Sequence, residues 1–222
     1  MGTRNLTMVV SNNQTKVAQY GQWDGYPEGQ GATALKIMSK IIADGKLSEF
    51  KEKVDKLSWL TQEQIDELNK EADPFEKHPY LSRDWAAQIL EAVMYDTLTK
   101  EKGFMQDEDV TIPAKIVGLV NKEKFAQDSL FCEWGYVIDL DKNTFEVYKG
   151  FNKEPLLETE RFHYLDVAFE PEEGDWFEDS KTGGKYYYHA IMMVKSYDLN
   201  NLPTLQEFLD ELEPRDKEEN DN

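Results

Sequence analysis

Over residues 3–10 apolar and polar side chains alternate. Leu6, Met8 and Val10 fall on one side of an extended chain, and Thr3, Asn5 and Thr7 on the other. A period of two predicts a strand. Ser11-Asn12-Asn13-Gln14 supplies a turn and residues 16–20 return as a second strand, giving an N-terminal hairpin. The period then lengthens: Leu35, Met38, Ile41 and Ile42 recur at helical spacing until Gly45, a residue suited to the position just past a helix end.

Leu47, Phe50, Val54 and Leu57 mark a second helix, and Thr61 with Gln64 forms a capping box for a third that carries Ile65 and Leu68. After the Asp73-Pro74 and His78-Pro79 breaks, Ser82 is placed to cap a longer helix that turns Trp85, Ile89 and Val93 to a core. Residues 103–113 read as a loop. From there the period returns to two. Trp134, Tyr136, Ile138 and Leu140 form one face of a strand that Asp141-Lys142-Asn143-Thr144 turns into its partner at residues 145–149. A further hairpin is predicted across Lys181-Thr182-Gly183-Gly184, with residues 186–194 as its long returning strand. Thr204 and Glu207 box the start of a closing helix, and residues 213–222 read as a polar, disordered tail. The predicted fold is α+β: an N-terminal β-hairpin joined to an antiparallel sheet, with helices packed over it, in one domain spanning residues 1–212.

Charge narrows the partners. With 44 Asp and Glu against 25 Lys and Arg the chain carries a net charge of −19, which opposes direct binding to a nucleic-acid backbone. The same surface attracts a basic protein, or a site that normally holds DNA. Cys132 stands alone, which excludes an internal disulfide framework, and no cation flanks it to favour a thiolate. No apolar run reaches the roughly 20 residues that span a bilayer, and no secretory leader is recognisable, so the expected location is cytoplasmic, whether in a cell or in a host carrying a virus.

Candidate chemistry concentrates between the first hairpin and the first helix, in Gln19-Tyr20-Gly21-Gln22-Trp23-Asp24-Gly25-Tyr26-Pro27-Glu28-Gly29-Gln30-Gly31. A glycine-rich loop running from a strand into a helix N-terminus can aim backbone N–H groups at an anion. The loop lacks the spacing of the known phosphate and dinucleotide motifs, and it carries Asp24 and Glu28. Its amides and aromatics instead suit a polar ligand held by hydrogen bonds and stacking. Arg4, Asn5, Gln19, Gln22, Trp23, Asp24, Tyr26, Gly29 and Gly31 are therefore the candidate ligand-binding residues. Equally, the glycines serve a tight turn, with Trp23 and Tyr26 packed on the core. His78, His163 and His189 lack a second His or Cys at ligand spacing, so no metal site is expected, and the acidic run from Glu170 to Asp175 lacks the alternation of a calcium loop. No particular cofactor is implied.

Gly2-Thr3-Arg4-Asn5-Leu6, the segment from Ala18 to Gly31, Tyr136-Val137-Ile138-Asp139-Leu140-Asp141 and Leu202-Pro203-Thr204 resemble a family of uncharacterised proteins of phages, bacteria and some fungi. The resemblance brings no catalytic residues. It implies an accessory role, such as interference with host defence. The layout is also similar to that of N-terminal nucleophile hydrolases, which would make Thr3 a catalytic nucleophile once both Met1 and Gly2 were removed. Three functions follow as expectations. The first is a protein that binds, or binds and modifies, a small polar or nucleotide-like ligand beside the hairpin. The others are an acidic interaction protein or nucleic-acid mimic that inhibits a host protein, and an amidohydrolase acting through Thr3.

Overall fold

The structure is a computed structural model that describes residues 2–101 and 108–213. The predicted tail therefore lies outside the described residues beyond position 213. Strands β1 (Asn5–Ser11) and β2 (Gln14–Gly21) form the predicted hairpin, with Asn12 and Asn13 both at φ 54°. Two successive left-handed residues are what a tight two-residue hairpin turn requires, and Asn tolerates them. Residues Pro27–Gly31 wind as a π-helical turn straight into α1 (Ala32–Ala43). That helix ends at Gly45, whose φ of +69° lets the Lys46 and Gly45 N–H groups reach the Ile41 and Ile42 carbonyls, each at 2.9 Å.

Helices α2 (Leu47–Asp55), α3 (Gln62–Leu68), α4 (Pro74–Lys77) and α5 (Ile89–Tyr95) follow. Next come the small pair β3 (Thr97–Lys100) and β4 (Val110–Pro113), the hairpin β5 (Trp134–Asp139) and β6 (Thr144–Lys149), and α6 (His163–Asp166). The chain closes with β7 (Phe177–Glu178), β8 (Lys185–Tyr186), β9 (Met192–Asp198) and α7 (Leu205–Leu212). The main sheet runs β2-β1-β5-β6-β9. All its neighbours are antiparallel except β1 and β5, which pair in parallel from Asn5 opposite Trp134 to Val10 opposite Asp139. The fold is α+β as expected, and its sheet is mixed at the point where the hairpin joins.

Both faces of the sheet are covered, which is why every residue of β1 is buried. On one face Val9, Tyr136, Ile138, Phe145 and Val147 meet α1, α2, α5 and α7. There Phe145 stacks on Phe208 of α7 with ring centroids 5.9 Å apart. On the other face Leu6, Met8 and Val10 pack with Val137, Tyr148, Phe162 and Ile191, as their alternation predicts. Asn5 and Thr7 consequently point into the helical layer, wholly buried.

Three local expectations are corrected. The helix foreseen from Ser82 starts only at Ile89. The Ser82 hydroxyl instead accepts from the Asp84 N–H at 3.2 Å, and the Gln88 carboxamide takes the Ala86 N–H at 3.1 Å, so side chains hold residues 82–88 out of helical register. Part of the predicted loop at 103–113 pairs as β4, and residues 103–107 of it lie outside the described residues. The hairpin across residues 181–184 forms, but its strands are two residues long, and β9 begins at Met192 in the main sheet. Between them Asn152 and Asp166 take the backbone: the Asn152 carbonyl accepts from His189 N–H and the Asp166 carboxylate from Ala190 N–H, both at 2.8 Å.

Candidate functional site

The glycine-rich loop binds itself. Gly25 N–H donates to the Thr3 carbonyl at 2.9 Å, Gln30 N–H to the Asp24 carbonyl at 2.8 Å, and Gly29 and Gly31 N–H to the Tyr26 carbonyl at 3.0 and 3.4 Å. The Ala32 N–H closes on the Gly29 and Pro27 carbonyls. The donors that an anion would use are thus engaged within the turn. Close approach explains the glycines. A Cβ at Gly29 would lie 2.1 Å from the Asp24 carbonyl oxygen, and one at Gly31 would lie 2.9 Å from the Tyr136 ring and hydroxyl. Tyr136, fully buried, donates from that hydroxyl to the Gly25 carbonyl at 2.8 Å and so locks the loop to the sheet. Asp24 is exposed at φ 54°, and Tyr26 sits beside it; burial first and the Asp24 carboxylate second push the Tyr26 phenol up.

The Gln19 and Gln30 carboxamides, the Gln22 backbone and Trp23 serve a second segment. Gln19 Nε2 donates to the carbonyls of Tyr80 and Trp85 at 3.1 and 3.0 Å, and Gln22 N–H to that of Arg83 at 2.9 Å. Trp23 Nε1 donates to Asp84 Oδ1 at 3.1 Å, and Gln30 Oε1 accepts from Ala87 N–H at 3.0 Å. Gln19, Gln22, Trp23 and Gln30 are therefore brought together as a clamp on residues 80–87. Asn5 lies beneath, its Nδ2 donating to the Gly21 and Trp23 carbonyls at 3.4 and 3.5 Å. Its Oδ1 and the Thr7 hydroxyl have no hydrogen-bond partner among the described residues. Arg4 is not part of the group: strand alternation turns it to the opposite face, where its guanidinium lies 4.6 Å from the Phe131 ring centroid. Thr3 precedes β1, partly buried, with its carbonyl held by Gly25.

What the clamp shapes is a cavity of about 670 Å³ on the outer side of β2. Gln19 and Tyr20 form its floor, residues 81–84 one wall, and α3 with Pro74 and Phe75 the other. Leu60, Ile65, Leu68 and Phe75 supply an apolar bed, while Arg83, Asp84 and Lys122 supply charge. No residue of α3 is buried, so its Ile65–Leu68 face looks into the cavity instead of a core. The sequence pattern marks Ile65 and Leu68 only as the apolar positions of this helix, and Ser82 as a helix cap. The available signal was a helix polar everywhere except Ile65 and Leu68, too sparse a stripe to bury.

A second polar cluster lies across the sheet. Arg161 joins the nearly buried carboxylates of Asp139 and Glu146, its Nε also donating to the Tyr148 hydroxyl at 3.2 Å. Burial works against the Asp139 charge, but hydrogen bonds from Arg161 and from the Lys142 and Asp141 N–H groups outweigh it and hold its carboxyl below the usual range. The arrangement is a satisfied ion pair. His189 Nδ1 sits 3.1 Å from Asp166 Oδ1, and Cys132 is buried, its thiol pushed up by desolvation. Among the described residues no three His, Cys, Asp or Glu side chains are grouped to hold a metal ion, and no helix is long and apolar enough to cross a membrane. Compared with protein-family models, curated proteins and solved structures, this chain matches none.

Proposed function

We propose that the protein binds a small organic ligand in the cavity between β2, α3 and residues 81–84. The observation that carries this reading is one concavity of about 670 Å³ that combines an apolar bed with a few polar and charged groups. Ligand sites of several hundred Å³ have that make-up. The loop that dominates the sequence then acts as scaffold: Gln19, Gln22 and Trp23 fix residues 80–85, and with them the position of Arg83 and Asp84 on the cavity wall.

Native mass spectrometry of the protein purified from its own cells tests the proposal, with Leu68→Asp alongside. Leu68 is half-buried on a helix without buried residues, so the variant should fold. The expected result is a small-molecule adduct on the unaltered chain that Leu68→Asp lacks. A bare chain in both preparations, with no adduct restored by incubation in a small-molecule extract of the same cells, would overturn it.

A further inference from the structure

We infer that the ligand of this cavity is an anionic amphiphile, one carboxylate or phosphate carried on an apolar body; the inference rests on the cavity being the ligand site. The chain as a whole is strongly acidic, yet the lining carries two cations, Arg83 and Lys122, against the single carboxylate of Asp84. Neither cation forms an ion pair with a described residue. Asp84 is already engaged, accepting from Trp23 Nε1 at 3.1 Å and from the Ser82 hydroxyl at 3.0 Å.

Both cations are anchored by backbone bonds to residues 18–22, the end of β2 and the residue just past it. The Arg83 carbonyl accepts from Gln22 N–H at 2.9 Å, and Lys122 N–H donates to the Ala18 carbonyl at 3.1 Å. Those anchors flank the floor residues Gln19 and Tyr20 and stand roughly 13 Å apart at strand rise, a span that two long cationic side chains can close onto one head group. An acidic protein repels anions at long range, so a site that takes one must supply local cations free to pair with it. The same lining includes Leu60, Ile65, Leu68 and Phe75, which offer hydrocarbon and an aromatic ring, with Phe75 56% exposed. That apolar share of the cavity suits an acyl or aryl body.

The test is calorimetric titration with decanoate, decyl phosphate, decanol and decylammonium, which share one chain and differ in head group. An anion should bind about tenfold tighter than the alcohol, the margin of a charge-assisted over a neutral hydrogen bond, and decylammonium weakest. In Arg83→Gln/Lys122→Gln the anions should fall to the alcohol's affinity while decanol binding stays unchanged, which also reports that the variant is folded. The better anion identifies the head group. Equal affinity for anions and alcohol in the unaltered protein, or preference for decylammonium, would overturn the inference and leave the cavity reading standing. Binding of none of the four would overturn the inference, and the mass-spectrometric adduct would then decide the cavity reading by itself.

Discussion

Replacing Gly31 by Ala tests whether the glycine loop is a packing device. Gly31 sits at φ −61°, ψ −51°, so its backbone accepts any residue, and Ala would gain up to about 1 kcal/mol of helical propensity. The added methyl, however, would lie 2.9–3.0 Å from three atoms of the Tyr136 side chain, which is fully buried and cannot retreat into solvent. Overpacking of this kind costs about 1–3 kcal/mol. Displacing the ring also breaks its 2.8 Å bond to the Gly25 carbonyl, and an unpaired buried group costs about 1–3 kcal/mol. The net expectation is a loss of about 2–4 kcal/mol, read as a fall in the urea midpoint at unchanged slope. A double-mutant cycle with Tyr136→Phe should be less than additive, because both changes remove the same bond. A Gly31→Ala protein within about 0.5 kcal/mol of the original would refute the reasoning, since that is the range of substitutions that disturb nothing.

Other predictions concern the clamp and the ion pair. Gln19→Leu leaves the Tyr80 and Trp85 carbonyls without their donor, so hydrogen exchange should accelerate across residues 80–88 while β5 and β6 stay protected; uniform acceleration over the sheet would contradict a local clamp. Arg161→Leu strands two carboxylates whose side chains are 3% and 5% exposed and should cost about 3–5 kcal/mol by urea unfolding, with a change under 1 kcal/mol counting against the pair. Because the Asp139 carboxyl lies below its ordinary value of about 3.9, its stabilisation is complete above that pH and is lost as pH falls through the folded value. The urea midpoint should therefore decline below about pH 4, and less steeply in Asp139→Asn; equal slopes would exclude Asp139 as the cause.

Features encoded by neighbouring residues were legible in the sequence. The Asn12-Asn13 turn, the Gly45 helix end and the capping boxes at Thr61 and Thr204 each depend on side chains within a few positions, and each forms. Features encoded by distant residues were not. Nothing in β1 or β5 announces that they pair in parallel across more than 120 positions, since buried strands of either sense share one composition. Residues 82–88 have a helical pattern that the local bonds of Ser82 and Gln88 override together with the carboxamides of Gln19 and Gln30, which come from another part of the chain. The glycine loop is the most instructive case. Glycine permits both an anion cradle and a tight approach, and only the destinations of the N–H groups separate them. The chemistry of Gln19 and Trp23 was recognisable as polar recognition; its object among the described residues is residues 80–85 of the same chain, while the Gln22 carboxamide accepts from the Tyr20 hydroxyl.

The most direct test of the account is a titration of the isotope-labelled protein with decanoate, followed by backbone amide chemical shifts. The account predicts that the largest shifts map to the cavity, at Gln19, Tyr20, Ile65, Leu68 and residues 81–84, with the glycine turn at 25–31 little changed. Shifts centred on residues 25–31, or none at saturating decanoate, would contradict it.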